Sequence, residues 1–378
     1  MEKHPTAQFE AHFGKIQDPR VGNAKRHKLL DILVIAICAV ICGADSWTEV
    51  ELFGKHKQAW FQQFLELPTG IPSHDTFGRV FAMLDPQALG KQFLEWVRAI
   101  QELTQGQVIA IDGKQVRGSA DRANGKAAIN LVSAWATANQ LVLGQVKVQD
   151  GSNEITAIPQ LLKMLDLSGC LVTIDAIGTQ REIAQQIVDQ SGDYLLAVKE
   201  NQGRLYENLE YLFQLEREED FRHSPCSYAK QVNKKHGRLE IRECWATSDE
   251  DYLNYLGERD KWPQVQTVAM TRSERRIGEQ VEVKFRYFIS SLAAPAKQIL
   301  KSKRTHWTIE NQLHWVLDIA FREDASRVRK DHAPENFAIL RHMALNLLKQ
   351  EKSVSGGVKA KRLLAGWDQV YLLKVLAG

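Results

Sequence analysis

The segment QVIAIDGKQVRG, residues 107–118, decides the fold because a short apolar run in it ends at an acidic residue, Asp112, followed by glycine. Such runs are typical of strands buried in a sheet. GCLVTIDAIGTQREIAQQIVDQ, residues 169–190, has the same order, with Asp175 after the apolar run, then a glycine turn and a helical stretch. The two segments therefore predict buried strands that each carry an aspartate at the carboxyl end.

The segments around these strands predict their directions. INLVSAWATA (129–138) and LVLGQVKVQ (141–149) read as a hairpin closed by two residues, and ITAIPQLLKMLDL (155–167) reads as a helix. DYLLAVKEN (193–201) is another buried strand, ending at Lys199. Short connections make the first three strands antiparallel, whereas helical crossovers make the later ones parallel. This order predicts an α/β protein with a ribonuclease-H-like core, in which the first and fourth strands end side by side.

That topology places Asp112 and Asp175 together at strand ends, where ligands of open α/β sheets bind. Two carboxylates this close repel each other, and the pKa of one rises unless a cation lies between them. Oxygen ligands suit Mg²⁺, with Mn²⁺ as a substitute, and two-metal phosphoryl transfer uses ions about 3.5–4 Å apart. The alternative for each aspartate alone is an ordinary turn or capping residue.

A third acid lies in RTHWTIENQLHWVLD, residues 304–318. Helical spacing puts Glu310 at the border of an apolar arc, where an uncompensated carboxylate is unfavourable, so we expect it to reach the same metal site. His306 and His314, one turn to either side, could contact phosphate or orient the carboxylate. A zinc site on this His–Glu–His face is the alternative, although eight residues separate the histidines. The apolar arc consists of Ile309, Leu313, Val316 and Leu317.

The composition and residue pattern of successive segments predict the domain organisation. Ser73 or Asp75 begins a short helix with Arg79, which would belong either to a helix-turn-helix DNA reader or to a plain helical support domain. A break in the helical region is expected at Gly43–Ser46, and SVSGG reads as a flexible joint before the chain's last segment. The predicted parts are an all-helical N-terminal domain (1–105), a catalytic core (106–225 and 293–350), a β-rich insertion (226–292) and a basic C-terminal tail (351–378).

Composition and charge limit the classes of protein. The 378 residues are 44% hydrophobic and 25% charged, as in ordinary globular proteins. The apolar run ILVIAICAVIC (32–42) is shorter than the roughly 20 residues that span a bilayer, so no membrane association is expected. Its Cys38 and Cys42 could be metal ligands but fit the core better.

Five cysteines without a C-x-x-C pair predict reduced thiols and a cytoplasmic location. Residues 297–378 carry 15 Lys+Arg against 8 Asp+Glu, which suits either a polyanionic partner or a solvated surface.

Four blocks of the sequence together resemble the DDE transposases of bacterial insertion sequences, in particular the H-repeat-associated proteins of Rhs elements (the transposase 11 family). The resemblance implies Mg²⁺-dependent cleavage of transposon DNA ends and strand transfer, with double-stranded DNA as partner and a dimer or larger assembly on it. It implies that Asp112, Asp175 and Glu310 are the catalytic, metal-binding triad. The blocks are IAIDGKQVRGS (109–119), VTIDAIGTQ (172–180), LLAVKENQ (195–202) and the long stretch from HWTIEN to LNLLK (306–349), and residues 13–54 also resemble the family's N-terminal domain.

The sequence departs from related transposases around the third acid. These often have Arg four residues before the acid and Lys seven after it, where this chain has His306 and Leu317, and Lys303 stands where they have Tyr. We therefore expect other basic residues to bind DNA phosphates, with a merely solvated charge as the alternative for each. The candidates are Lys199, Arg304, His306, Arg327, Arg329 and Lys330. Two other functions stay open: a catalytically inactive, domesticated DNA-binding remnant, and a metal-dependent nuclease without strand transfer.

Overall fold

A computed structural model describes residues 7–100, 106–235 and 237–377. Nine strands form one mixed sheet: β1 (Val108–Val116), β2 (Ile129–Ala136), β3 (Leu141–Lys147), β4 (Leu171–Ile174), β5 (Asp193–Val198), β6 (Ser227–Lys235), β7 (Arg238–Thr247), β8 (Thr267–Ile277) and β9 (Gln280–Ser290). Their order across the sheet is β3-β2-β1-β4-β5-β9-β8-β7-β6. The protein is therefore a mixed α/β fold with one large sheet.

The helices surround this sheet and form the chain's two ends. Among the described residues, no helix is both long and apolar enough to traverse a lipid bilayer. The helices are α1 (Ala7–Phe13), α2 (Leu29–Ile41), α3 (Trp47–His56), α4 (Gln58–Phe61), α5 (His74–Met83), α6 (Pro86–Ile100), α7 (Glu154–Met164), α8 (Arg181–Asp189), α9 (Arg204–Glu218), α10 (Glu250–Tyr255), α11 (Ala296–His306), α12 (Trp315–Ala320), α13 (Ala333–Gln350), α14 (Val358–Trp367) and α15 (Gln369–Ala377).

The first five strands have the directions expected from their connections. β2 is antiparallel to β1 and β3, whereas β1, β4 and β5 are parallel. The predicted two-residue hairpin turn is wrong, because β2 ends at Ala136 and four residues separate it from β3. Gln140 closes this turn with a φ of 56°, a left-handed conformation that ends the turn just before β3.

The β-rich region after α9 extends the same sheet. β9 pairs with β5 in the antiparallel direction, from Leu195 opposite Ser290 to Val198 opposite Tyr287. β8, β7 and β6 follow as successive antiparallel neighbours. The strands expected in residues 226–292 are present, but their backbone hydrogen bonds join them to the core sheet.

The N-terminal helices share a core with the rest of the protein. All elements described between residues 7 and 100 are helical or 3-10 helical, and the break expected at Gly43–Ser46 lies between α2 and α3. Ser46 caps α3 and exchanges hydrogen bonds with Glu49, which fixes this break. One hydrophobic cluster runs from Phe9 to Leu376. The helical segment is thus packed onto the sheet-bearing part of the chain.

Helix α13 is the centre of that shared core. Nearly all of its residues up to Leu348 are buried, and it contacts α2, α5, α6 and the strands β2 and β3. Its Asn336 donates hydrogen bonds to the carbonyl oxygens of Phe81 and Leu84 at the end of α5, both at 2.8 Å. These bonds satisfy carbonyls that the helix end leaves unpaired.

The C-terminal basic segment folds into α14 and α15. Arg362 is buried and donates to the Val40 carbonyl oxygen of α2 at 2.8 Å. Lys361, also buried, donates to the Leu348 carbonyl oxygen at 3.1 Å. The expectation of a basic tail for a polyanionic partner misses this packing, which follows from buried apolar residues such as Leu372 and Val375.

A buried asparagine satisfies the edge of the sheet. Asn346 of α13 donates to the Val142 carbonyl oxygen and accepts from the Val142 N–H, each at 2.9 Å. Because β3 is an edge strand, these backbone groups have no neighbouring strand. Asn346→Leu should therefore lower the free energy of unfolding by about 2–5 kcal/mol, since two buried polar groups lose their partner.

Urea denaturation measures this change. Gln298→Leu, on the exposed surface of α11, is the matched control and should change the free energy of unfolding by less than about 0.5 kcal/mol. A loss in Asn346→Leu no larger than in the control would contradict the assigned role.

Candidate active site

The two aspartates meet where β1 and β4 stop pairing. The parallel pairing of β1 with β4 ends with Ile111 opposite Ile174, and Asp112 and Asp175 are the residues that directly follow this last pair. The prediction that Asp112 ends its strand is wrong, because β1 continues to Val116 by pairing with β2. Asp175 follows β4 directly, and one of its carboxylate oxygens accepts the Ile177 N–H at 3.1 Å. The divergence of the two strands leaves a gap between their side chains.

Glu310 reaches this gap from a helical turn of unusual geometry. Residues Glu310–His314 form a π-helical turn, in which the Trp315 N–H donates to the Glu310 carbonyl oxygen. Such turns are rare and occur frequently at functional sites. The fully buried Leu313 packs the turn into the core. The Trp135 Nε1–H of β2 donates to the Thr308 hydroxyl at 3.2 Å, which fixes the turn's position over the sheet.

A cavity of about 220 Å³ contains all three acids in its lining. Of the residues expected to bind DNA, Lys199 and His306 line the same cavity. Basic side chains that the sequence did not single out, Arg286 and Lys303, also line it. The cavity therefore combines three carboxylates with cationic groups on its wall.

The two histidines beside Glu310 face different partners. His314 is buried, and its Nδ1 lies 3.5 Å from both Asp112 Oδ2 and Glu310 Oε2. His306 instead has its Nδ1 2.9 Å from the Thr173 hydroxyl oxygen of β4. The two rings therefore do not share one site, and the alternative of a zinc site with both histidines has no support in this geometry.

Crowding of negative charge dominates the electrostatics. Burial raises the pKa of Asp112 well above its usual range, and the nearby carboxylates of Glu310 and Asp175 raise it further. The His314 side chain lowers the pKa of Glu310, which is half exposed. Without a cation, the proton of this pair therefore resides on Asp112. A divalent cation in its place would remove the repulsion.

The donor atoms fit a divalent metal. One oxygen each of Asp112 and Glu310 and one nitrogen of His314 all lie within 4.8 Å of one another. Metal–ligand bonds to such atoms are about 2.0–2.2 Å long, so one ion could contact all three after a small closure. The residues present thus match the chemistry of a metal site.

A fourth carboxylate, which the sequence analysis missed, lies beside Asp112. A Cβ atom at Gly113 would lie 2.0 Å from Glu154 Oε1, so glycine is what lets this carboxylate rest over β1. Burial, and next the charge of Asp175, raise the pKa of Glu154. Glu154 is the first residue of α7, after the capping Asn153. An acid there is an ordinary helix-start signal, so its position in the sequence does not distinguish it from other acids at helix starts.

Lys114 anchors the region behind the site, and it too was missed. It lies two residues after Asp112, so its side chain is on the same face of β1. Its Nζ is 2.8 Å from Asp318, 3.1 Å from Glu323 and 3.1 Å from Asp324. The buried Glu323 is in turn 3.5 Å from the guanidinium of Arg341 on α13. This network fixes α12, which follows the π-turn, to the strand that carries Asp112.

The other expected DNA-binding residues lie outside the acid-lined cavity. Arg304 Nη1 donates to Gln231 and Asn233 of β6, at 3.2 and 3.1 Å, and so connects α11 to the outer strands. A separate groove of about 690 Å³ is lined by residues from α3, α5, the segment between β1 and β2 and the segment before α13. Its basic residues are His74, Arg79, Lys126, Arg327, Arg329 and Lys330.

Comparison with known protein families adds to this geometry. Residues 103–347 match the family described as the transposase DDE domain, and residues 10–97 match the segment associated with it. The chain belongs to the DDE transposase family. This transposase is thus an enzyme that acts on DNA, as the resemblance of its motifs implied.

Relatives of this transposase match over nearly its whole length. YncI of Escherichia coli O157:H7, named as a transposase, is 42% identical over 366 residues, or 96% of this chain and 92% of its own. YhhI of E. coli K12, named as an H repeat-associated transposase, is 39% identical over 372 residues, 97% of each chain. Among solved structures, the piggyBac transposase in a synaptic complex with hairpin DNA matches with a TM-score of 0.41 and 13% identity, covering 96% of this chain and 75% of that one.

Removal of Lys114 tests the anchoring network. Lys114→Met should lower the free energy of unfolding by about 2–4 kcal/mol, because three carboxylates, of which Glu323 is buried, lose their shared cation. Thermal and urea denaturation measure the change. The matched control, Lys163→Met on the exposed side of α7, should be nearly neutral. Equal stability of the two variants would show that the network does not hold the site together.

The raised pKa of Asp112 predicts a pH dependence. A carboxyl group whose pKa is higher in the folded protein stabilises the fold at low pH and loses this contribution as the pH rises from about 4 through neutrality. Asp112→Asn has no such loss. In the presence of EDTA, the melting temperature of Asp112→Asn should therefore exceed that of the wild type, and the gap should widen between about pH 5.5 and about pH 8.5.

The exposed Asp150→Asn variant controls for a general effect of removing a negative charge. A gap between Asp112→Asn and wild type that is constant over this pH range would contradict the charge crowding. Added Mg²⁺ should raise the melting temperature of the wild type more than that of Asp112→Asn.

Proposed function

We propose that this transposase cleaves DNA at transposon ends and joins the freed 3′ ends to target DNA, with Asp112, Asp175 and Glu310 as the metal-binding triad. The observation that supports this most is that the three carboxylates line one cavity at the point where two parallel strands diverge. The strand order β3-β2-β1-β4-β5, with β2 antiparallel, is that of a ribonuclease-H-like core.

The triad would hold Mg²⁺, or Mn²⁺ as a substitute. When bound, these ions activate the attacking oxygen and stabilise the leaving oxygen of a phosphoryl transfer. Asp112 belongs to a strand and Glu310 to the π-turn, so the two elements together would hold the ion. Lys199 and His306 on the cavity wall would position a phosphate group of the DNA.

Double-stranded DNA would extend from the cavity to the basic groove between the N-terminal helices and the segment before α13. Arg79 and Lys330 both line that groove and would contact DNA phosphates. We further propose that residues 1–105 serve as a DNA-binding unit and residues 106–225 and 293–350 as the catalytic core. Because two ends must be joined, at least two copies would assemble on the DNA.

Replacement of the third acid tests the proposed chemistry. Glu310→Gln keeps the shape of the side chain and removes its charge, so cleavage of duplexes with the element's terminal sequences should fall by at least about 100-fold. Binding of the same duplexes should change by less than about twofold, because phosphate contacts come from basic residues. Strand cleavage on denaturing gels and electrophoretic mobility shifts measure the two quantities with Mg²⁺ and with Mn²⁺.

The exposed Glu219→Gln, at the end of α9, is the matched control and should cleave like the wild type. Parallel loss of binding and cleavage in Glu310→Gln would instead assign Glu310 a structural role. Cleavage without joined products on a target plasmid would make the protein a nuclease. Absence of cleavage by the wild type on every end would make it an inactive DNA-binding remnant.

A further inference from the structure

We propose that His314 is a ligand of the metal ion, so that one of the two metal positions is formed by two carboxylates and an imidazole. This inference rests on the proposed function and adds a residue to the triad of acids. The ligand atoms would be one oxygen of Asp112, one oxygen of Glu310 and Nδ1 of His314.

The distances favour a ligand over a hydrogen-bonding partner. His314 Nδ1 lies 3.5 Å from the nearest oxygen of each of the two carboxylates. This distance is longer than the about 2.7–2.9 Å between the donor and acceptor atoms of a charge-assisted hydrogen bond. With metal–ligand bonds of about 2.1 Å, neighbouring ligand atoms are about 3.0 Å apart in an octahedral site and about 3.4 Å apart in a tetrahedral one. The observed spacing thus matches ligands around an ion better than direct bonds between the side chains.

The burial of the ring points the same way. His314 is 5% exposed, and its Nε2 has no hydrogen-bond partner among the residues that the structure describes. Burial removes the contacts of the ring with water, so each interaction that the ring keeps is important for its stability. Metal binding at Nδ1 would supply one such interaction, and it would leave Nε2 without a partner.

The surrounding elements hold His314 in this position. The π-turn makes Glu310 and His314 its first and last residues, with both side chains directed at Asp112. One turn further along the chain, Asp318 forms an ion pair with Lys114, which belongs to β1 like Asp112. His306, in contrast, is engaged with Thr173 and is not part of the donor group.

A nitrogen ligand changes the choice of metal. Mg²⁺ prefers oxygen ligands. Mn²⁺ accepts an imidazole ligand more readily than Mg²⁺ does, and Zn²⁺ binds imidazole strongly. The site should therefore bind Mn²⁺ more tightly than Mg²⁺, and this preference should depend on His314.

Pulsed electron paramagnetic resonance of bound Mn²⁺ tests the inference without relying on activity. The wild-type protein with Mn²⁺ should show nitrogen modulation of a directly bound imidazole, and [¹⁵N]histidine labelling should change it to the ¹⁵N pattern. His314→Gln should lose the modulation and bind Mn²⁺ at least about tenfold more weakly. The matched control His306→Gln, in the same cavity, should keep the modulation.

The outcomes separate this inference from the proposed function. Bound Mn²⁺ in the wild type without nitrogen modulation, or modulation that persists in His314→Gln, would overturn the role of His314 and leave the acidic triad intact. No Mn²⁺ binding by the wild type, or equal binding by the wild type and Asp112→Asn, would instead count against the metal site as a whole. If His314→Gln does not fold, absence of nitrogen modulation in the wild type still overturns the inference, and modulation that is lost in His306→Gln would assign the bound imidazole to His306 instead.

Discussion

Repulsion between carboxylates at the divergence of β1 and β4 is the constraint to which the surrounding structure responds. Asp112, Asp175 and Glu310 line one small cavity, and Glu154 lies against the backbone beside Asp112. Such a cluster opposes folding unless positive charge or protons compensate for it. In the absence of a metal ion, a proton on Asp112 provides part of that compensation.

Behind the cluster, opposite charges are paired and buried. Lys114 contacts three carboxylates, and Glu323 among them also faces Arg341 of α13. Since α13 is packed against both the N-terminal helices and β3, the position of Glu310 is tied to the centre of the hydrophobic core. The geometry of the site is therefore set by the fold as a whole.

Local signals in the sequence predicted the first five strands and their directions, but they did not predict that β6 to β9 join the same sheet. Apolar runs ended by Asp112 and Asp175, with connections of the expected length, predicted the strand order of the core. The π-turn, Glu154 and Lys114 could not be predicted, because each depends on contacts between residues distant in sequence. Arg304 shows the same limit: it is close to Glu310 along the chain, but its place on α11 directs it to β6. Charge alone also suggested a basic tail, whereas Arg362 is buried against α2.

The pairing of β9 with β5 determines where the free edge of the sheet lies. A protein that lost residues 227–290 would expose the outer edge of β5, the strand that leads to Lys199, with its N–H and C=O groups free to pair with another molecule. Such a shortened protein would have to cap that edge to avoid pairing with other molecules. In the full sheet the free edge lies instead at β6, four strands away from β5.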